Sequence, residues 1–378
     1  MLRIYGLVIL FHAYVGWRLL PDLAPFGMPA IAAMAAWLVL SAALLPQGLF
    51  ARRARHRTFA DALVWAGSIV IGSFSSLFVL TFLRDVLLLG AAALEYRFPD
   101  PLALAQLHAW SAVAVPALAA VLTLIGFYNA RRQAVVKSVD VSIAGLPRAL
   151  HGFTIAQISD IHVGPTIRRR YVDSIVDAVN ALEADMVAIT GDLVDGSVAQ
   201  LSPHTEPLAR LSSRHGSYFV TGNHEYYSGV AGWIVELRRL GLRVLMNEHV
   251  VLEHEGESVV VAGVTDYGAH HYHESHRSDP AASVAGAPDG AVRVLLAHQP
   301  RSAFLAESAG FDLQLSGHTH GGQFWPWNFF VRMQQPFTAG LRRLGSLWVY
   351  TSRGTGYWGP PKRVGAPSEI TRLRLVPA

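Results

Sequence analysis

Gln157-Ile158-Ser159-Asp160-Ile161-His162 closes an apolar run that begins at Phe153. A β-like run ending in a carboxylate and an imidazole places polar side chains at the edge of a sheet. In extended chain, residues i and i+2 point to the same side, so Asp160 and His162 are expected to reach one common point. The same pattern returns four times. Residues 186–190 run into Gly191-Asp192, and residues 218–221 into Gly222-Asn223-His224-Glu225. Residues 292–296 run into Ala297-His298, and residues 313–316 into Gly317-His318-Thr319-His320. One such motif is a common turn. Five in order gather two Asp, one Asn and several His on one sheet edge.

Each motif has a chemical reading. A carboxylate has two oxygens, so Asp192 can bridge two cations. Gly191 lets the backbone approach closely. Asn223 offers a neutral carbonyl oxygen. The adjacent His224 diverges from Asn223 in extended chain, which leaves it to act on substrate as an acid or charge stabiliser. Glu225 is expected to hold that imidazole or to cap the next segment. Asp195 reads as a partner behind the ligands or as a turn residue. His318 and His320 repeat the i, i+2 spacing, and the two glycines after them leave room for substrate. The chain has no cysteine, so any metal must take O and N ligands. Mixed Asp, Asn and His donors suit Mn, Fe, Zn or similar ions rather than Ca. Two such ions about 3.5–4 Å apart clamp a phosphoryl group and generate hydroxide at neutral pH.

The full set resembles the calcineurin-like metallophosphoesterase superfamily, with its D-x-H, G-D, G-N-H-E, H and G-H-x-H pattern, over roughly residues 150–375. The Gly-His-Thr-His-Gly-Gly-Gln ending and the apolar N-terminus resemble its bacterial membrane-associated branch. The resemblance implies that Asp160, His162, Asp192 and His320 hold one divalent metal. Asp192, Asn223, His298 and His318 would hold the second, with His224 beside the phosphate as the catalytic residue. It also implies an α/β fold, a four-layer α/β-β/α sandwich with the metals at the strand ends. Similar family members hydrolyse the pyrophosphate bond of UDP-2,3-diacylglucosamine, so a lipid-linked substrate is expected.

The first third is a different material. The 378 residues are 52% hydrophobic and only 15% charged, with a mean hydropathy of +0.31. The apolar excess lies before residue 129. Residues 4–20, 26–45, 62–83 and 107–128 each approach the roughly 17–25 apolar residues that cross a bilayer. The first lacks a clear small-x-small cleavage site and reads as an uncleaved anchor rather than a signal peptide. Residues 85–96 read as a helical extension or interfacial piece. The expected organisation is a transmembrane domain of about four helices over 1–128, a junction over 129–150 and a catalytic domain over 151–378. Arg52, Arg53, Arg55 and Arg57 lie between spans two and three, and Arg131, Arg132 and Lys137 follow span four. Positive-inside bias then puts the catalytic domain in the cytoplasm, and the resemblance implies a bacterial inner membrane. The modest net charge of +4 speaks for membrane topology, and no nucleic-acid partner is expected.

Several features bear on substrate. Phe324-Trp325-Pro326-Trp327-Asn328-Phe329-Phe330 follows the last His motif. It reads as an aromatic lip meeting a bilayer or acyl chain, or as a buried strand with its turn. Arg342, Arg343, Arg353, Lys362 and Arg363 are candidates for phosphate or headgroup binding, or a solvated face. Arg168-Arg169-Arg170 reads as an exposed helix start or an anionic-lipid contact. His270, His271, His273 and His276 form a polar loop. His12 and His108 are expected to face the bundle interior. The competing functions are a phosphatase acting on soluble nucleotides or phosphoproteins, and a membrane sensor or scaffold that keeps the metal fold without turnover. A transporter has little support, because the spans are short-looped with few interior charges.

Overall fold

The computed structural model describes residues 2–50 and 57–378. Arg52, Arg53 and Arg55, on which part of the orientation reading rests, lie outside the described residues. The chain divides into two units. One holds residues 1–128 with Gly359–Lys362, and the other holds Asn129–Trp358 with Arg363–Ala378.

The first unit is helical: α1 (Leu2–Leu19), α2 (Met28–Phe50), α3 (Arg57–Arg97) and α4 (Pro101–Arg131). Met28–Gly48, Phe59–Arg97 and Pro101–Arg131 are long and apolar enough to cross a membrane. α1, at 18 residues with Arg18 in its last turn, is not among these three. Residues 85–96 continue α3 without a break, as a helical extension. Val15, Leu19, Leu38, Phe74, Leu77 and Ala112 pack inside. Ile9, Leu10, Val39, Val86 and Leu124 are exposed outside. An apolar exterior around an apolar interior is what lipid as solvent allows. α2 and α3 cross where Gly48 meets Gly67: a Cβ on Gly48 would stand 2.6 Å from the Gly67 Cα. His12 does face the interior, bonded to Val8 O at 2.7 Å and Ser41 Oγ at 2.9 Å and stacked on Phe74.

The second unit holds two six-stranded sheets. In chain order the strands are β1 (Val135–Ile143), β2 (Thr154–Ile158), β3 (Met186–Ile189), β4 (Ser217–Phe219), β5 (Arg243–Val244), β6 (Glu248–His254), β7 (Glu257–Gly263), β8 (Val292–Leu296), β9 (Leu313–Ser316), β10 (Gly340–Leu344), β11 (Leu347–Thr351) and β12 (Glu369–Pro377). The helices are α5 (Arg169–Asn180), α6 (Val198–Thr205), α7 (Asn223–Ser228), α8 (Val230–Arg239), α9 (Pro280–Val284), α10 (Ala303–Ser308) and α11 (Asn328–Val331). Sheet order is β1-β12-β2-β3-β4-β5 in one and β10-β11-β9-β8-β7-β6 in the other.

Side-chain alternation builds the layers. Val187 and Ile189 of β3 face α5, which presents Val172, Ile175, Val176 and Val179 at helical spacing. Met186 and Ala188 face the other way, into a core shared with Val259, Val261, Val294 and Leu296 of the second sheet. Leu295 and Ala262 point to the far side, against Ala303 and Ala306 of α10. The result is helix, sheet, sheet, helix, the four-layer sandwich that the resemblance implies.

Three segments differ from the sequence reading. Residues 129–150, expected to join the two domains, contain β1, which pairs in parallel with β12 over its whole length. Its alternation (Val139, Val141 and Ile143 against Ser138, Asp140 and Ser142) is a half-buried strand pattern. Residues 206–212 read as a helix in sequence, but the α-helix there is α6, which ends at Thr205. A capping box between Ser197 and Gln200 sets its first turn, and a short 3-10 turn follows it. The aromatic run 324–330 is no strand: it carries α11.

Candidate metal centre

β2, β3 and β4 run parallel in one sheet, and β8 and β9 run parallel in the other. Parallel strands end on the same edge, so the loops after them meet there. The pairing continues beyond the strands. Asp160 N–H donates to Gly191 O at 3.0 Å, and His162 N–H donates to Asp192 O at 3.1 Å. Gly317 N–H donates to His298 O at 2.9 Å. The sheets are joined by His318 N–H, which donates to Asp160 Oδ1 at 2.9 Å.

The i, i+2 argument from extended chain fails on a point of backbone geometry. Asp160, His162, Asp192, His318 and His320 all have positive φ, between 51° and 69°. L-residues rarely adopt this left-handed region. Asp160 and His162 converge because both turn in it, not because they extend a strand. Glycine is required at two neighbouring points. A Cβ on Gly191 would stand 2.6 Å from Gly222 N and 2.8 Å from His298 Nδ1, and one on Gly222 would stand 2.5 Å from Asp192 N.

The ligand atoms collect in three overlapping groups, each with its atoms within 4.8 Å: Asp160, His162 and His320; His162, Asp192 and His224; and Asp192, His298 and His318. Asp192 and His162 each belong to two of them. Asn223 opens α7, and the next N–H, that of His224, donates to Asp192 Oδ1 at 2.8 Å. The Asn223 Oδ1 atom is buried and has no hydrogen-bond partner among the described residues.

Ring orientations are set from behind. His298 Nδ1–H donates to Thr190 O at 2.7 Å, which turns Nε2 toward Asp192 Oδ2 at 3.2 Å. His162 Nδ1–H donates to Asp195 Oδ1 at 3.1 Å, which turns its Nε2 toward His320 Nε2 at 3.0 Å. His318 Nδ1 lies 3.2 Å from His298 Nε2. Lone pairs that face one another and a carboxylate need positive charge between them, either a proton or a cation. The buried Asn223 Oδ1, which cannot take a proton at neutral pH, adds a neutral oxygen donor. The donor set therefore fits divalent cations.

The description "Calcineurin-like phosphoesterase" fits a family model over residues 153–322. The chain is 31% identical over 243 residues to an uncharacterized metallophosphoesterase of Aquifex aeolicus, across 64% of this chain and 91% of that one. It belongs to the calcineurin-like metallophosphoesterase family. A transmembrane protein with metallophosphoesterase domain from Bos taurus is 40% identical over 275 residues, 69% of this chain and 62% of that one. Its Danio rerio counterpart is 38% identical over 266 residues. The chain thus spans about three fifths of the length of these two relatives.

Electrostatics in this metallophosphoesterase centre follow from burial and facing charges. Burial would raise the Asp192 carboxyl, but His298, His224 and His162 outweigh it and hold it well below the usual carboxylate range. Burial raises Asp160. Burial also drives His318 down to about 3, helped by His298. Against the same burial, the hydrogen bond to Asp195 and the charge of Asp192 lift His224 to about 9.

The residues behind the ligands meet some expectations and not others. Asp195 is the anchor for two rings, since its Oδ1 also accepts from His224 Nδ1 at 2.5 Å. Glu225 does not hold the His224 imidazole. It caps backbone, accepting from Gly222 at 2.7 Å, Asp192 at 3.0 Å and Leu193 at 2.8 Å. Arg363 fits neither expectation, anion binder or solvated face. It is fully buried and donates to the carbonyls of His320, Arg353, Ala366 and Gly356, and to His320 Nδ1 at 3.1 Å. Arg353 pairs with Glu369 at 2.9 Å, and Lys362 is also buried. Arg342 and Arg343 stay exposed. Tyr227 and Trp358 place rings 5.1 and 5.8 Å from that of His224. Only an aromatic-rich context, with no fixed spacing, marks them in the sequence.

Proposed function

We propose that the chain is a membrane-anchored phosphoesterase with two divalent metals, acting on a phosphodiester or pyrophosphate bond. The observation that carries this reading is the convergence of Asp160, His162, Asp192, His298, His318 and His320, with the Asn223 Oδ1 buried and unpartnered among the described residues. Asp160, His162, Asp192 and His320 would hold one ion. Asp192, Asn223, His298 and His318 would hold the other. Bound there, the pair supplies charge neutralisation for a phosphoryl group and a nucleophile at neutral pH.

The protein's own groups do the rest. His298 and His162 keep fixed tautomers through Thr190 O and Asp195. Against burial, Asp195 and Asp192 raise the His224 pKa, which favours the imidazolium and lets it offer Nε2–H to the departing oxygen. Its Nδ1–H stays on Asp195, so the ring does not rotate away. Intact His224 and Asn223 favour turnover over a non-catalytic sensor.

A lipid-linked substrate, such as an acylated nucleotide sugar, suits a site tethered by apolar helices. Positive-inside bias puts that site on the cytoplasmic face. A second reading, a soluble nucleotide, is favoured by Tyr227 and Trp358, whose rings beside His224 suit a planar base. The test is hydrolysis of a chromogenic phosphodiester by detergent-purified protein with added Mn. Asp192→Ala and His224→Ala are run alongside. Retained activity in Asp192→Ala would refute the site. No activity in metal-loaded wild-type protein, toward this ester, nucleotides or a lipid-linked pyrophosphate, would return the sensor reading.

A further inference from the structure

The segment after the last His motif is the most apolar exposed surface of the α/β unit. Phe329 is 63% exposed, Phe330 53% and Met333 81%, with Trp325 and Trp327 about two-fifths exposed. They stand on α11 and its flanking turns. Phe330 N–H donates to Trp327 O at 3.0 Å and Met333 N–H to Phe330 O at 3.0 Å, so the apolar side chains are carried on a wound backbone. Its base is fixed. Gln335, buried, accepts from Arg301 N–H at 3.2 Å, and Arg301 also donates to Gln334 O at 2.5 Å. Water-facing monomers rarely leave this many large apolar side chains together.

Charge identifies the occupant. From Asp312 to Glu369 the chain has no intervening acidic residue. Arg332 lies within the aromatic segment, and Arg342 and Arg343 lie on β10 just beyond it, all three exposed. Aromatic rings and cations in a segment that itself carries no carboxylate are the composition of a bilayer interface, where Trp and Phe sit at headgroup depth and Arg meets lipid phosphate. A carboxylate near β10, that of Glu307, packs at Gly345. The same chain carries helices long and apolar enough to span a membrane, so a bilayer is held at high local concentration.

We propose that residues 325–333 insert into the interfacial layer of an anionic membrane, with Arg332 and Arg342 on its phosphates. The loop leaves the metal centre only a few residues after His320, and its insertion would open that centre toward lipid headgroups. The proposal uses the membrane anchoring argued above and does not depend on turnover.

The absence of cysteine gives a clean test. Phe330→Cys and Met333→Cys, each in the full chain, are labelled with a nitroxide and reconstituted into lipid nanodiscs. Glu253→Cys, on the exposed face of β6, is the control. The discs contain phosphatidylcholine alone or equal parts of phosphatidylcholine and phosphatidylglycerol. Collision with oxygen is compared with collision with water-soluble chromium oxalate. The expected result is a severalfold higher oxygen-to-chromium ratio at 330 and 333 than at 253, larger with phosphatidylglycerol. A ratio equal to that at 253 in both lipids overturns the proposal. Low collision with both reagents marks a protein contact, such as a second copy, and overturns it too. Insertion no deeper with phosphatidylglycerol overturns the anionic assignment. Failure of the chain to enter discs at all would instead refute the membrane anchor.

Discussion

Each unit buries a polar cluster, and the two clusters are built on opposite terms. In the helical unit, Arg84 is almost fully buried and bonded to Asp22, Ser111 Oγ at 2.8 Å, Arg18 O at 2.9 Å and His108 O at 3.0 Å. Asp85 takes Arg18 at 2.8 Å and the Tyr14 hydroxyl at 2.6 Å. Every charge there finds its opposite within the bundle. In the α/β unit, the ligand atoms of Asp160, His162, Asp192, His224, His298, His318 and His320 crowd into three overlapping groups, and the Asn223 Oδ1 is buried with no partner among the described residues. The first cluster completes itself. The second, on the function proposed above, is completed by cations. A self-satisfied buried network gives structure, whereas one left short of cations gives a binding site.

The largest effect should fall on the second cluster. Asp192→Ala removes the shared ligand and is expected to lower kcat/KM by more than about 100-fold, since residues behind a metal already cost 10–100-fold. Near-normal turnover with unchanged metal content would erase the distinction between the clusters. The complementary change is Asp22→Ala. It strands Arg84 and should cost roughly 3 kcal/mol, the lower end for a broken buried pair because Asp22 is a quarter exposed. The expected record is a lower detergent melting temperature with kcat/KM of the folded fraction unchanged. A selective loss of kcat would mean that the helical cluster belongs to the site.

Chelation separates the two without mutation. Metal at about 100 times its Kd adds about 2.7 kcal/mol to the state that binds it. Removing it should speed hydrogen exchange in the loops after β2, β3 and β9, and leave α1–α4 unchanged. Equal effects on both units would refute the comparison. The chelator also tests what the sequence made legible. Asp160, His162, Asp192, His298, His318 and His320 were readable because ligand types are few and their strand-end placement is periodic. Their backbone was not readable, because positive φ at Asp160 and His318 is forced by contacts across two sheets, not by local propensity. β1 was missed although its alternation was present, because the basic stretch before it resembled a linker. Arg363 was misread because charge alone does not tell a solvated guanidinium from one buried among carbonyls. The aromatic run allowed two readings, and only exposure at Phe329 and Met333 separates them.

The smallest effect should come from Asp195, which touches both rings and lies behind the ligands. Asp195→Asn keeps the shape and removes the charge. A loss of about tenfold is expected, the lower end for such a residue. The direction of the pH response carries more information than its size. Burial lowers the His224 pKa, but Asp195 and Asp192 raise it above 6.5, to about 9. A folded-state pKa raised in this way contributes stability that is fully present below about pH 6.5 and is lost as pH rises through about 9. If protonated His224 serves the leaving group, activity should fall over the same alkaline limb. Asp195→Asn removes the first of the raising contacts, so both limbs should move to lower pH together. A tenfold loss with the alkaline limb unmoved would make Asp195 a spacer between two rings, and His224 would no longer be the acid.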